Sequence, residues 1–95
     1  MNLKDLHTEK KELQTKLFFT ATDGKVVSIQ LEAHGELKEH TTKVPARLIC
    51  ISGEVVYEDE HGYSALLRQG DFVEIPIDVK HRLVAKDFSN LILIK

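Results

Sequence analysis

Two histidines sit in stretches that turn residues bound on both sides. His40 lies within residues 35–53, GELKEHTTKVPARLICISG, and His81 closes residues 70–81, GDFVEIPIDVKH. Imidazole is the side chain whose ordinary pKa suits acid–base work near neutral pH, and it is also a common metal ligand. A pair of imidazoles offers nitrogen donors to a metal, or hydrogen-bonding groups to a small ligand. The remaining histidines, His7, His34 and His61, stand in polar or turn contexts and read as solvated. Cys50 is the single cysteine, so no intrachain disulfide forms, and it reads as a small buried hydrophobe. Ser28, Ser52, Ser64 and Ser89 lack a glycine elbow, and no glycine-rich phosphate loop is present.

The elements that must position these groups are short strands. Val27, Ile29 and Leu31 alternate with Ser28, Gln30 and Glu32, the pattern of a half-buried strand. Asp23-Gly24 before them is a hairpin turn, with a strand over 16–20 on its other side. A strand opens at His40 and runs to 43, and Pro45 then forces a bend. Strands follow over 47–51 and 54–58 around the Ser52-Gly53 turn, then over 63–67, 72–75, 81–85 and 90–94. The closing run LILI suits a strand covered on both faces. Helix signals are minimal. Residues 1–12 form a polar arm that packs Leu3 and Leu6 on the domain of residues 13–95, and Phe18, Phe19, Phe72 and Phe88 are expected in the core or an interface. The fold class is all-β, a double-sheet sandwich or barrel.

The chain has 95 residues, 42% of them hydrophobic, enough for a single core. A net charge of −2 leaves no basic excess to neutralise phosphates, so no nucleic-acid partner is expected. No apolar run reaches the roughly 20 residues of a membrane span, and the first residues lack the apolar stretch of a secretory signal. The expectation is a cytoplasmic protein with no membrane association. A domain this small without staples gains burial by pairing, so a homodimer is expected.

Two motifs carry a family resemblance. Gly70, Pro76 and His81, with Asp78 between them, are spaced as in the second conserved motif of the cupin superfamily. That motif has glycine where Asp78 stands and asparagine where Ala85 stands. Residues 35–53 resemble the first cupin motif in worn form. His40 matches its first histidine and Gly53 its closing glycine, whereas Thr42 and Ala46 replace its second histidine and its glutamate. His34 stands where its opening glycine would be, with Gly35 one place late. The resemblance covers residues 25–95.

The resemblance implies a double-stranded β-helix, the jelly-roll cupin barrel, with its site in the mouth and a short N-terminal arm outside it. On that fold His40 and His81 become neighbours in a pocket with Thr42, Leu48, Cys50, Phe72 and Leu83. Three functions follow as alternatives. One is small-molecule binding in the mouth with metal weak or absent. Another is a metal-dependent oxygenase or isomerase, with iron, manganese, nickel or zinc on His40 and His81 and a third ligand from Cys50, Glu74 or water. The last is a structural or regulatory dimer with a vestigial pocket, pairing through residues such as Ile49 and Ile51. Fold alone does not choose among them, nor decide whether the chain is an enzyme.

Overall fold

Apolar residues at every second position bury one face of each strand, and nine strands built this way roll into two antiparallel sheets. A computed structural model describes all 95 residues. The strands are β1 (Leu13–Ala21), β2 (Gly24–Leu31), β3 (Glu36–His40), β4 (Ala46–Ser52), β5 (Val55–Asp59), β6 (Ser64–Leu67), β7 (Phe72–Ile75), β8 (His81–Ala85) and β9 (Ser89–Ile94). One sheet has the order β1-β2-β9-β4-β7 and the other β3-β8-β5-β6. Leu3–Leu6 form a single 3-10 turn ahead of β1.

The sheets face each other across a core that includes Ile29, Leu31, Leu48, Val55, Tyr57, Val73, Leu83 and Leu91. Each of the larger apolar side chains contributes about 1.5–3 kcal/mol by leaving water. Odd-numbered residues of β4 point outward, so Arg47, Ile49 and Ile51 lie on the outer face, while Ala46, Leu48 and Cys50 are buried inside.

Chain direction sorts the connections between two ends. Residues 22–23, 41–45, 60–63 and 76–80 gather at one end with His40 and His81, here called the mouth; residues 32–35, 53–54, 68–71 and 86–88 gather at the base.

Several sequence expectations are corrected. His40 ends a strand instead of opening one, because β3 draws its ladder partners from β8 upstream of the Pro45 bend. None of the four phenylalanines is in the core; Phe18, Phe19, Phe72 and Phe88 are all exposed, and in β7 it is Val73 and Ile75 that take the inward parity. β9 is covered along its inner face but only in part on the outer one, where Asn90 is buried, Ile92 half-buried and Ile94 exposed. The 3-10 turn buries neither Leu3 nor Leu6; the arm is anchored by His7, which is buried and not solvated.

Candidate functional site

His40 and His81 are directly paired across β3 and β8, with ring centroids 4.2 Å apart and planes tilted by 58°. A β-bulge makes this contact. Leu37 faces inward opposite Leu83, and simple alternation would then turn His40 outward. The register shifts between Leu37 and His40, so an extra residue restores His40 to the face of His81.

Both rings are held in the same way. His40 Nδ1 lies 3.0 Å from the Lys38 carbonyl oxygen, and His81 Nδ1 lies 3.2 Å from that of Val79. A carbonyl only accepts, so each Nδ1 carries the proton and each neutral ring keeps a lone pair on Nε2. His81 is 4% exposed whereas His40 is exposed, so one ring lies under the other at the rim. Burial pushes the pKa of His81 below its ordinary 6.5; the Val79 hydrogen bond and the Asp59 carboxylate oppose that shift and His40 adds to it.

The pair belongs to a longer row. Tyr57 stacks on His81 with centroids 5.7 Å apart and planes 26° apart, and Tyr63 meets Tyr57 edge-on at 6.0 Å. Three rings thus follow the strand order β3-β8-β5 across the mouth, and Tyr63, just ahead of β6, adds a fourth. Tyr57 is fully buried and its Oη has no hydrogen-bond partner. Burial, with Asp59 and Tyr63 adding to it, raises its pKa, so the phenol is protonated near neutral pH. Sequence reasoning passed over Tyr57. The signal was available, since Val55 and Tyr57 alternate with Glu54, Val56 and Glu58.

The other expected pocket residues fall in three places. Leu48, Cys50 and Leu83 are packed solidly in the core. Thr42 is in a mouth loop, where its hydroxyl donates to the Val44 carbonyl at 2.7 Å. Phe72 is corrected: Val73 and Ile75 take the inward parity of β7, and Phe72 lies outside, 55% exposed, under the Arg47 guanidinium at 5.1 Å. An open cleft of about 620 Å³ lies among the mouth loops, with walls that include Thr20, Thr22, Lys25, Thr42, Lys43 and Lys95. The imidazoles are not among its walls.

No protein-family model matches the sequence, and no curated protein matches it either. Solved structures do match. A cupin superfamily protein from Desulfitobacterium hafniense superposes with a TM-score of 0.85 over 98% of this chain and 84% of that one, at 11% identity. A cupin-2 domain containing protein from Shewanella frigidimarina gives 0.80 over 100% and 92%, at 18% identity. An RmlC-like cupin from the same organism gives 0.79 over 87% and 74%, at 20% identity. This chain has the cupin fold.

Within that fold, the two motif-glycine positions that hold another residue here are informative. Asp78 has φ 60° and His34 has φ 68°, the left-handed region that glycine occupies without strain. Both residues therefore hold a backbone conformation that favours glycine.

The metal centre that the cupin motifs imply does not fit the residues present. It needs at least three donors aimed at one point, and no group of three or more His, Cys, Asp or Glu side chains is so placed. Ala46 and Thr42 stand where two ligands would be. Glu74 is on the outer face, hydrogen-bonded to Arg47 Nε at 2.8 Å. Cys50 is towards the base, its sulfur 3.5 Å from the Ser52 carbonyl oxygen, and burial first, then Asp71, pushes its thiol pKa up, away from the thiolate a metal requires. No helix is long and apolar enough to cross a membrane.

Proposed function

We propose that this cupin-fold protein binds a small molecule at the barrel mouth and does so without a catalytic metal. The observation that carries the reading is the imidazole pair, in contact and held as Nδ1–H tautomers by two backbone carbonyls. Rings fixed in this way present two Nε2 acceptors over the aromatic row, at the same end of the barrel as the cleft that Thr42 lines. Few oriented polar groups in mostly apolar surroundings are what small-ligand sites use.

The test is a thermal-shift screen with metabolites and, separately, with divalent iron, manganese, nickel and zinc. A ligand at 100 times its Kd adds about 2.7 kcal/mol, roughly 10–20 °C for a domain of this size. The expected result is a metabolite shift that His40→Ala and His81→Ala abolish, with no comparable response to metals. Silence across millimolar metabolites, or a metal shift that the same variants remove, overturns the reading.

A second reading concerns assembly. Across the outer face of the larger sheet, Ile92, Ile49 and Phe72 stand in one register row, beside exposed Ile51 and Ile94. We propose that this apolar strip pairs two copies of the chain. Sedimentation equilibrium should give twice the monomer mass, and Ile49→Lys should return the monomer; a monomer in the unsubstituted protein at tens of micromolar disproves it.

A further inference from the structure

The N-terminal arm crosses the outer face of the larger sheet, and its deep anchor is a histidine. His7 is 9% exposed, and its Nε2 lies 2.7 Å from the hydroxyl of Ser28, which is fully buried. Its other ring nitrogen, Nδ1, is buried with no partner. A second clasp lies a few residues on, where the Gln14 side-chain amide hydrogen-bonds to both the N–H and the carbonyl of Glu9. Beneath the arm, side-chain amides form a row across the sheet. Gln14 Nε2 donates to Gln30 at 3.3 Å, Gln30 Nε2 to Asn90 at 3.1 Å, and Asn90 Nδ2 to Ser52 Oγ at 3.2 Å. These three amide residues are buried although they lie on an outer face.

The anchor suits a neutral imidazole and not an imidazolium. A charged ring carries N–H on both nitrogens and needs an acceptor at each, but Nδ1 has none. The charge facing His7 from β1 is Lys16, in register with Ser28. From β2 it meets neutral Ser28 and Gln30, and from β9, beyond them, come neutral Asn90 and Ile92. In the arm itself Asp5 is two residues away, and Glu9 is paired with Lys11 at 2.6 Å. Protonation therefore places a second cation beside Lys16 in a buried site, with one N–H unmet.

We propose that residues 1–12 are a pH-released strap: protonation of His7 lifts the arm from β2 and uncovers Ser28 and the amide row. The direction of the ring's pKa agrees, lowered first by burial and then by Lys16. Linkage fixes the scale, since each unit of lowering corresponds to a tenfold change in the open-to-closed ratio on protonation.

The experiment follows the arm backbone amides and the His7 ring together by NMR from pH 8 to pH 5. The expected result is loss of arm order with a midpoint below 6.5, coincident with the ring's own titration. His7→Gln, which keeps a hydrogen-bonding side chain without a titration, and His7→Phe, which keeps a ring, should hold the arm closed at pH 5. An arm that stays ordered while the ring protonates overturns the proposal, and so does opening at the wild-type midpoint in both variants. The ring titration in the unsubstituted protein decides the matter even where a variant arm fails to pack.

Discussion

At the base of the barrel the connections are short and tightly bonded. The His34 N–H donates to the Ala85 carbonyl at 2.8 Å, the Ala85 N–H to that of Gly35 at 2.9 Å, and the Gly70 N–H to that of Cys50 at 2.7 Å. Ser89 is fully buried there, and its hydroxyl is used twice, accepting from the Glu54 N–H at 3.1 Å and donating to the Asp87 carbonyl at 2.8 Å. At the mouth the loops are longer, the His40 ring is exposed, and a phenol without a partner lies one layer below. The contrast separates two duties of one sheet pair. The base closes the barrel and holds its stability, whereas the mouth keeps polar groups in positions that stability alone does not explain.

Glycine substitution breaks this comparison most sharply. Gly53 at the base has φ +93°, and a methyl there would collide with Ser89 Oγ and the Phe88 carbonyl oxygen. Both neighbours are fixed, so Gly53→Ala should cost about 3 kcal/mol or more. Gly62 at the mouth has φ +85° with nothing within 4 Å of the same methyl. Gly62→Ala should cost only the left-handed backbone penalty of about 1–2 kcal/mol. Urea midpoints of the two variants measure the difference; equal losses would mean that the base is no more closely packed than the mouth.

The pH dependence comes next. Folding lowers the pKa of His81 at the mouth and of His7 under the arm. Below 6.5 the unfolded chain therefore binds protons that the folded chain resists, so stability is full above 6.5 and falls as pH drops through it towards the folded pKa values. Each ring adds a slope of at most about 1.4 kcal/mol per pH unit. The slope should shrink in His81→Gln and shrink again in the double variant with His7→Gln. A slope of the opposite sign in this window, or one that both variants leave intact, contradicts the assignment.

Tyr57→Phe sharpens the same contrast from inside. It keeps the ring stacked on His81 and removes a hydroxyl that is buried without a partner. An unmet buried polar group costs about 1–3 kcal/mol, so the variant should gain about 1 kcal/mol. A loss of stability would show that the hydroxyl is bonded to water or to a neighbour in solution.

Much of this was legible in the residues. The hairpins and the inward parity of Ala46, Leu48 and Cys50 follow from alternation and turn chemistry, and the meeting of His40 with His81 from the resemblance to the cupin motifs. The bulge between Leu37 and His40 did not follow, because an extra residue leaves no compositional mark in ELKEH. Phe72 was misplaced because its bulk suggested the interior, while the smaller Val73 and Ile75 held the inward parity. His7 was misread because the arm has no period, and its burial depends on Ser28, 21 residues away.

The smallest effects separate the two left-handed residues that stand in the places of motif glycines. His34 at the base has φ 68° and an exposed side chain. Histidine has little to offset the strain there, so His34→Gly should gain about 0.5–1 kcal/mol, the left-handed penalty less the entropy that glycine adds to the unfolded chain. Asp78 at the mouth has φ 60°, but aspartate tolerates that region better, and its carboxylate is 3.0 Å from Lys43 Nζ. Both side chains of that pair are largely exposed, so it contributes little, yet it offsets part of the remaining strain. Asp78→Gly should therefore change stability by less than about 0.5 kcal/mol. If the two variants gained equally, local backbone strain rather than position in the barrel would govern both sites.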